Sequence, residues 1–257
     1  ALGLSLDKSV DIKRRRADGT CEPLTTEQKK QLMEPFCIWH KALCRDPRSP
    51  PICWLTRVTI PTGTHAPIQQ RPYPMPMKYL DAAREELNKL LDAGLITPGF
   101  ANWSSPVIVI VKKDSEPGKL KIKLAVDYRA LNAATTIDTG QLGDQSEVIN
   151  GFGSGQVYRG LADAAAGYYQ LALHPDDAHK TCFVVPASMG GTSFIWKVAP
   201  YGLSRNPAAY SRTMMHVMRG LHNIRLSDGA IAGVGTWLDD ISFHADTFDG
   251  FCAIISI

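Results

Sequence analysis

The chain has 257 residues and a mass of 28.1 kDa, enough for one or two domains with a sizeable core. Hydrophobic residues make up 44% and charged residues 21%, which argues against wholesale disorder, and no apolar stretch approaches the roughly 18 residues of a membrane-spanning helix. A formal charge of +3 permits a polyanion partner without demanding one, because clustering of charge matters more than its sum.

Asp7, Lys8 and Asp11 stand where a leader would be apolar, so no secretory signal is expected. The six cysteines (21, 37, 44, 53, 182 and 252) are then expected to be reduced thiols in an intracellular setting. Up to about Ala66 the chain reads as an extension rather than a compact domain. Its basic run Lys13-Arg14-Arg15-Arg16 is a solvated tail or a nucleic-acid arm, and would fray unless a protein partner held it. Residues 25–39 read as partly helical, with Thr25 or Thr26 as cap and Leu32, Phe36 and Trp39 on one face; Pro35 is expected to kink or interrupt them. Cys37, His40, Cys44 and Cys53 fall close together, but their gaps match no compact zinc pattern, and buried structural cysteines are the better reading. Residues 54–60 alternate like a strand.

Residues 77–93 form an amphipathic pattern with Leu80, Ala83, Leu87, Leu90 and Leu91 on one face, and Gly94 is placed to end the helix. Residues 107–111 are a β-branched run suited to a buried strand. A turn at 114–118 leads to residues 119–126, where Leu120, Ile122, Leu124 and Val126 share one face and Lys119, Lys121 and Lys123 the other. That lysine face is either a solvated strand face or a surface for phosphates. Residues 156–163 read as a strand running into Ala164-Ala165-Ala166-Gly167, and Asp176-Asp177 after His174-Pro175 read as capping residues. Residues 194–198 form another strand. Asn206 is placed to cap a helix with Pro207 at its first position, in which Tyr210, Met214, Val217, Met218 and Leu221 keep helical spacing as core. Residues 234–238 and 241–243 make an apolar run split by Asp239-Asp240. Strands and helices mix without βαβ regularity, so the class is α+β around a mainly antiparallel sheet.

Two adjacent carboxylates inside an apolar β segment are either a polar hairpin tip or a buried pair that needs compensation. A divalent cation is the obvious compensator, since Mg²⁺ takes one or two carboxylates plus substrate phosphates. Asp163 ends a strand and is followed by four small residues, whose backbone N–H groups can approach an anion closely. Asp163 and the Asp239-Asp240 pair together suit two metals and a triphosphate, the apparatus of two-metal nucleotidyl transfer. Neither a Walker-type phosphate loop nor a Gly-x-Ser-x-Gly elbow is present.

The order of segments resembles the reverse transcriptase of gypsy-type LTR retrotransposons and, more distantly, of retroviruses. The resemblance runs from about Thr56 to His244. It rests on Gln70-Arg71-Pro72-Tyr73, Leu91-Asp92-Ala93-Gly94-Leu95-Ile96, Trp103-Ser104-Ser105-Pro106-Val107, Val111-Lys112-Lys113-Asp114 and Val126-Asp127-Tyr128-Arg129-Ala130-Leu131-Asn132. Gly167-Tyr168-Tyr169-Gln170, Pro200-Tyr201-Gly202-Leu203, Asn206-Pro207-Ala208 and Trp237-Leu238-Asp239-Asp240 complete it. It implies a right-hand polymerase's fingers (67–136 and 171–205) and palm (137–170 and 206–257) after an extension (1–66), with the thumb absent.

The resemblance further implies that Asp163 and Asp239 are the principal ligands of Mg²⁺ or Mn²⁺, with Asp240 the less direct third carboxylate. Tyr168 would be the gate that excludes a ribose 2′-hydroxyl. Ala166 and Gly167 would offer amides to the triphosphate, with Lys112, Lys123 and Tyr201 also on the nucleotide; Arg129, Gly202 and Trp237 would lie along template and primer. Partners would be an RNA/DNA template–primer and dNTPs, with no membrane insertion. Trp237 stands where the family usually has Tyr or Phe, and Lys123 where arginine is more usual, which loses the bidentate fork. Residues 135–155 lack the proline-rich element expected there, and the chain stops at Ile257, so grip on a duplex is expected to be poor. A retroelement-derived, non-catalytic structural or binding subunit of a larger assembly is the competing expectation.

Overall fold

A computed structural model describes residues 11–15, 20–38, 50–111, 121–138, 140 and 157–256. The chain divides into two compact units, one holding the described residues of 1–51, 140–167 and 210–257, the other those of 52–139 and 168–209.

Small and β-branched residues build the sheet of the first unit. Its strands are β1 (Asp11–Arg15), β2 (Cys21–Pro23), β7 (Tyr158–Asp163), β11 (Ile224–Arg225), β12 (Ile231–Trp237) and β13 (Asp240–Ala245), in the order β11-β12-β13-β7-β1-β2, and every pairing is antiparallel. Gly233 is required by close approach: a Cβ there would meet the Asn223 backbone nitrogen at 2.6 Å and His244 Nε2 at 2.7 Å. Tyr158, Gly160 and Ala162 of β7 are buried while Arg159, Leu161 and Asp163 alternate to the other face. The helix Phe248–Ser256 packs on β7, β12 and β13 with Phe251 and Ile254 buried, and Phe248 meets the Tyr158 ring edge-on at 5.4 Å.

No strand was expected before residue 54, yet β1 and β2 extend this sheet, because β7 offers an edge that only backbone pairing satisfies. The helix Thr26–Ile38 runs through Pro35, where an interruption was expected; it packs against the helix Phe248–Ser256, and tertiary contact overrides local propensity.

The second unit holds a five-stranded sheet in the order β4-β10-β9-β5-β6, made of β4 (Ile96–Pro98), β5 (Ser105–Val111), β6 (Ile122–Val126), β9 (Phe183–Val184) and β10 (Ser193–Trp196), and a parallel pair, β3 (Cys53–Val58) with β8 (Leu171–Leu173). The helix Leu80–Asp92 buries Leu80, Ala83 and Leu87 and packs on β6. Gly94, at φ +68°, ends it in a Schellman motif: Leu95 N donates to Leu90 O and Gly94 N to Leu91 O. The expected hairpin of residues 107–111 with 119–126 is β5 with β6, in register from Val107↔Val126 to Val111↔Ile122. Its two strands differ in burial: β6 buries Ile122, Leu124 and Val126 along its length, where the helix Leu80–Asp92 packs on it, whereas β5 pairs with β9 only at Ser105 and Pro106 and loses cover toward the tip, with Ile110 and Val111 nearly half exposed. Lys112, the turn at 114–118, Lys119, Leu120, His40, Cys44 and most of 135–155 lie outside the described residues.

Asn206, expected to cap its helix (Asn206–Val217), is instead fully buried and donates from Nδ2 to Pro200 O at 2.6 Å. Of the residues placed on that helix as core by their spacing, Tyr210 and Met214 are buried, Val217 is exposed, and Met218 and Leu221 fall beyond its end. Asp177 does not cap either: Oδ2 accepts from Ile60 N at 2.9 Å and Oδ1 from Lys180 Nζ at 2.7 Å, tying two loops together. Cys53, Cys182 and Cys252 are free thiols, as expected, and no helix among the described residues is long and apolar enough to cross a membrane.

Candidate active site

In the first unit, strand register brings two of the three aspartates together. Asp163 ends β7 and Asp240 begins β13; they are directly opposed partners on adjacent strands, and both are exposed. Directly opposed like charges repel. Partial burial and the Asp240 charge both push the Asp163 carboxyl above the usual carboxylate range. Asp239 sits between them in sequence but not in direction. With Leu238 it forms the two-residue tip that closes Trp237↔Asp240, and Leu238 takes φ +48°, a conformation that bulky residues rarely adopt. Of the two readings of the Asp pair, Asp239 therefore makes the turn and Asp240 enters the strand.

The chain after β7 is tied to this tip: Ala164 N donates to Asp239 O at 2.8 Å. Ala166 follows at φ +51°, and Gly167 then passes so close to Asp239 that a Cβ would lie 2.8 Å from its Oδ1 and 3.0 Å from the Tyr210 ring. A side chain there would have to displace the Asp239 carboxylate and press on the buried Tyr210 ring. Among the described residues no three His, Cys, Asp or Glu side chains gather closely enough to enclose a metal ion. Trp237 is half-buried in β12, next to the tip.

In the second unit, Tyr201 is the centre of an aromatic group. The Lys123 ammonium lies 3.7 Å from its ring centroid, Tyr168 is tilted against it at 5.1 Å, and Tyr169 meets it edge-on at 5.0 Å while stacking on Trp196 at 5.3 Å. Lys123 thus rests on an aromatic face. Gly202, at φ +100°, is held by Asn132, whose Nδ2 donates to its carbonyl at 2.8 Å while Oδ1 accepts from Ser204 N at 2.9 Å. Arg129 closes a fork on Asp127: Nε donates to Oδ1 at 2.8 Å and Nη2 to Oδ2 at 2.6 Å. The guanidinium holds the Asp127 carboxyl down at about 2.

The roles of Asp127, Tyr73, Asn132 and Tyr210 were not legible from residue type. Asp127 and Arg129, two apart at a strand end, are the one local signal for an ion pair. Tyr210 had the spacing of core, and it is core, but its ring is also the floor under Gly167.

The mixed α+β architecture is the fold of solved reverse transcriptases. Foamy viral protease–reverse transcriptase in complex with double-stranded DNA superposes with a TM-score of 0.74 at 22% identity, covering 91% of this chain and 38% of that one. The same enzyme in complex with an RNA/DNA hybrid gives 0.75 at 20% identity, covering 91% and 29%.

In sequence, the relatives of this chain are Pol polyproteins of gypsy-type retrotransposons and enzymatic polyproteins of plant viruses. It is 26% identical over 193 residues to the retrovirus-related Pol polyprotein from transposon opus of Drosophila melanogaster, covering 75% of this chain and 18% of the relative. It is 27% identical over 192 residues to that from transposon gypsy of Drosophila melanogaster (74% and 18%), and 30% identical over 149 residues to the enzymatic polyprotein of figwort mosaic virus (56% and 22%). The chain therefore spans less than a quarter of the length of these relatives. No protein-family model matches it.

Proposed function

We propose that this chain is the RNA-directed DNA polymerase domain of a retroelement, joining a dNTP to a primer 3′-hydroxyl along an RNA or DNA template. The observation that carries this reading is the register of Asp163 opposite Asp240, with Asp239 at the adjoining hairpin tip. Two unit-charged carboxylates forced into opposition, one of them with a raised pKa, are the donor chemistry that Mg²⁺ or Mn²⁺ satisfies. Asp163 and Asp240 would hold the metal as the residues stand, with Asp239 joining through its second oxygen. Bound there, divalent ions would acidify the primer hydroxyl and offset charge on the departing pyrophosphate.

The chain's own groups do the rest. Gly167, without a side chain, leaves its amide and that of Ala166 open to a phosphate. Tyr168, buttressed by Tyr201, is the proposed gate for deoxyribose, and Lys123 offers charge to the outer phosphates. Lys112, Gly202 and Trp237 keep the nucleotide, template and primer roles that the family resemblance implies. The interleaved chain segments of the two units support a division into palm and fingers. The complexes with double-stranded DNA and RNA/DNA hybrid described for the fold neighbours support a template–primer as partner.

Primer extension on a homopolymer RNA template with a DNA primer and Mg²⁺ or Mn²⁺, run with and without a supplied C-terminal thumb segment, tests the reading. Asp163→Asn and Asp240→Asn are expected to lower extension at least about 100-fold, the scale of losing a group that stabilises transition-state charge. Extension insensitive to both changes would remove the pair from catalysis. The turn of Asp239 Oδ1 toward Gly167 favours one second reading, a non-catalytic binding subunit, which predicts nucleic-acid binding without metal-dependent extension.

A further inference from the structure

Arg129 and Asp127 form an unequal pair. The Asp127 side chain is 6% exposed and the Arg129 side chain 85% exposed. The carboxylate is fixed from several sides. Besides the fork, Oδ1 accepts from Arg129 N at 3.2 Å, Oδ2 accepts from the Tyr73 hydroxyl at 3.1 Å, and the Asp127 backbone donates to Pro106 O at 2.9 Å on β5. An ordinary surface ion pair orders two mobile side chains and contributes little. Here one partner is already immobile, so the guanidinium is held in one plane. The fork uses one edge of a group that carries five N–H donors, and the other donors remain on the exposed side. The ring of Tyr73 is 40% exposed alongside. An exposed ring beside an oriented guanidinium is the combination that binds single-stranded nucleic acid, stacking a base and holding its phosphate.

We propose that Asp127, assisted by Tyr73, is a positioning residue that presents the outer edge of Arg129 to a phosphate of the single-stranded template. The proposal rests on the nucleic-acid reading above and adds the residues that orient the contact. It makes a prediction opposite in sign to simple electrostatics. Asp127→Asn removes a negative charge, so charge alone would tighten binding to a polyanion. Loss of the fork frees the guanidinium, so positioning requires weaker binding.

The test is fluorescence anisotropy of a labelled single-stranded RNA 20-mer titrated with the full chain, without divalent cations and across a salt series. Arg129→Ala is expected to weaken binding about tenfold and to reduce the salt slope by about one. Asp127→Asn is expected to weaken it by about three- to tenfold with the slope kept, because the charge on Arg129 remains. In the Arg129→Ala background it is expected to cost nothing further. Tyr73→Phe, which keeps the ring and removes only the hydroxyl that bonds Asp127 and adjoins Arg129, is expected to weaken binding about twofold. It stands in if Asp127→Asn fails to fold by thermal melting. Wild-type binding that is unchanged or tightened in both variants overturns the positioning role and leaves the polymerase reading intact. Absence of wild-type binding at low salt overturns both.

Discussion

Leu238 and Ala166 take left-handed backbone conformations at φ +48° and +51°, each one residue before a group that matters, Asp239 and Gly167. For a residue with a Cβ such a conformation costs roughly 1–2 kcal/mol. It persists because the β12–β13 register and the Ala164–Asp239 hydrogen bond over-determine the turn. The Asp127–Arg129 pair leads to a prediction at the same scale. The Asp127 carboxyl is held at about 2 against an ordinary 3.8. The stabilisation is therefore present above the ordinary value and is lost as pH falls through about 2. Denaturant unfolding between pH 5 and pH 2 is expected to show that loss in the wild type and a shallower dependence in Asp127→Asn; parallel curves would contradict the ion pair.

Helix ends show how local chemistry places an element. At the start of the helix Thr26–Ile38, Thr25 Oγ1 accepts from Gln28 N at 3.2 Å while Gln28 Oε1 accepts from Thr25 N at 3.0 Å, a reciprocal capping box. Gln28 then reaches Tyr158 OH of β7 at 3.2 Å, so the cap also docks the helix on its sheet. Thr25→Ala is expected to destabilise the protein by about 1 kcal/mol, measured by denaturant unfolding; no change would mean that this helix contributes nothing to the cooperative unit. The caps at Thr25 and Gly94 were visible in sequence because capping is decided within four residues. The Asn206 cap failed because its side chain is engaged by Pro200, a partner that no helix rule includes.

For the molecule as a whole, the acidic strand end is a place where like charges oppose stability. Asp163 and Asp240 repel each other in the metal-free protein, so Asp163→Asn is expected to leave its thermal midpoint equal to or about 1–3 °C above wild type. Millimolar Mg²⁺ is expected to raise the wild-type midpoint by linkage and to leave that of Asp163→Asn unmoved. Equal Mg²⁺ responses would place the ion elsewhere.

The amino-acid sequence by itself determined the α+β class, the Leu80–Asp92 helix with its glycine stop, the β5–β6 hairpin and the identity of the acidic residues. Periodicity, caps and residue chemistry are properties of neighbours along the chain. Only the tertiary structure decided that Asp240 rather than Asp239 faces Asp163, that Lys123 rests on Tyr201, that Tyr73 reaches Asp127, and that residues 11–15 and 21–23 add two strands to a sheet whose other members begin at 158. Each of these depends on a register or a contact between residues far apart in the chain, and a one-residue slip would exchange the faces of a whole strand without altering any local pattern.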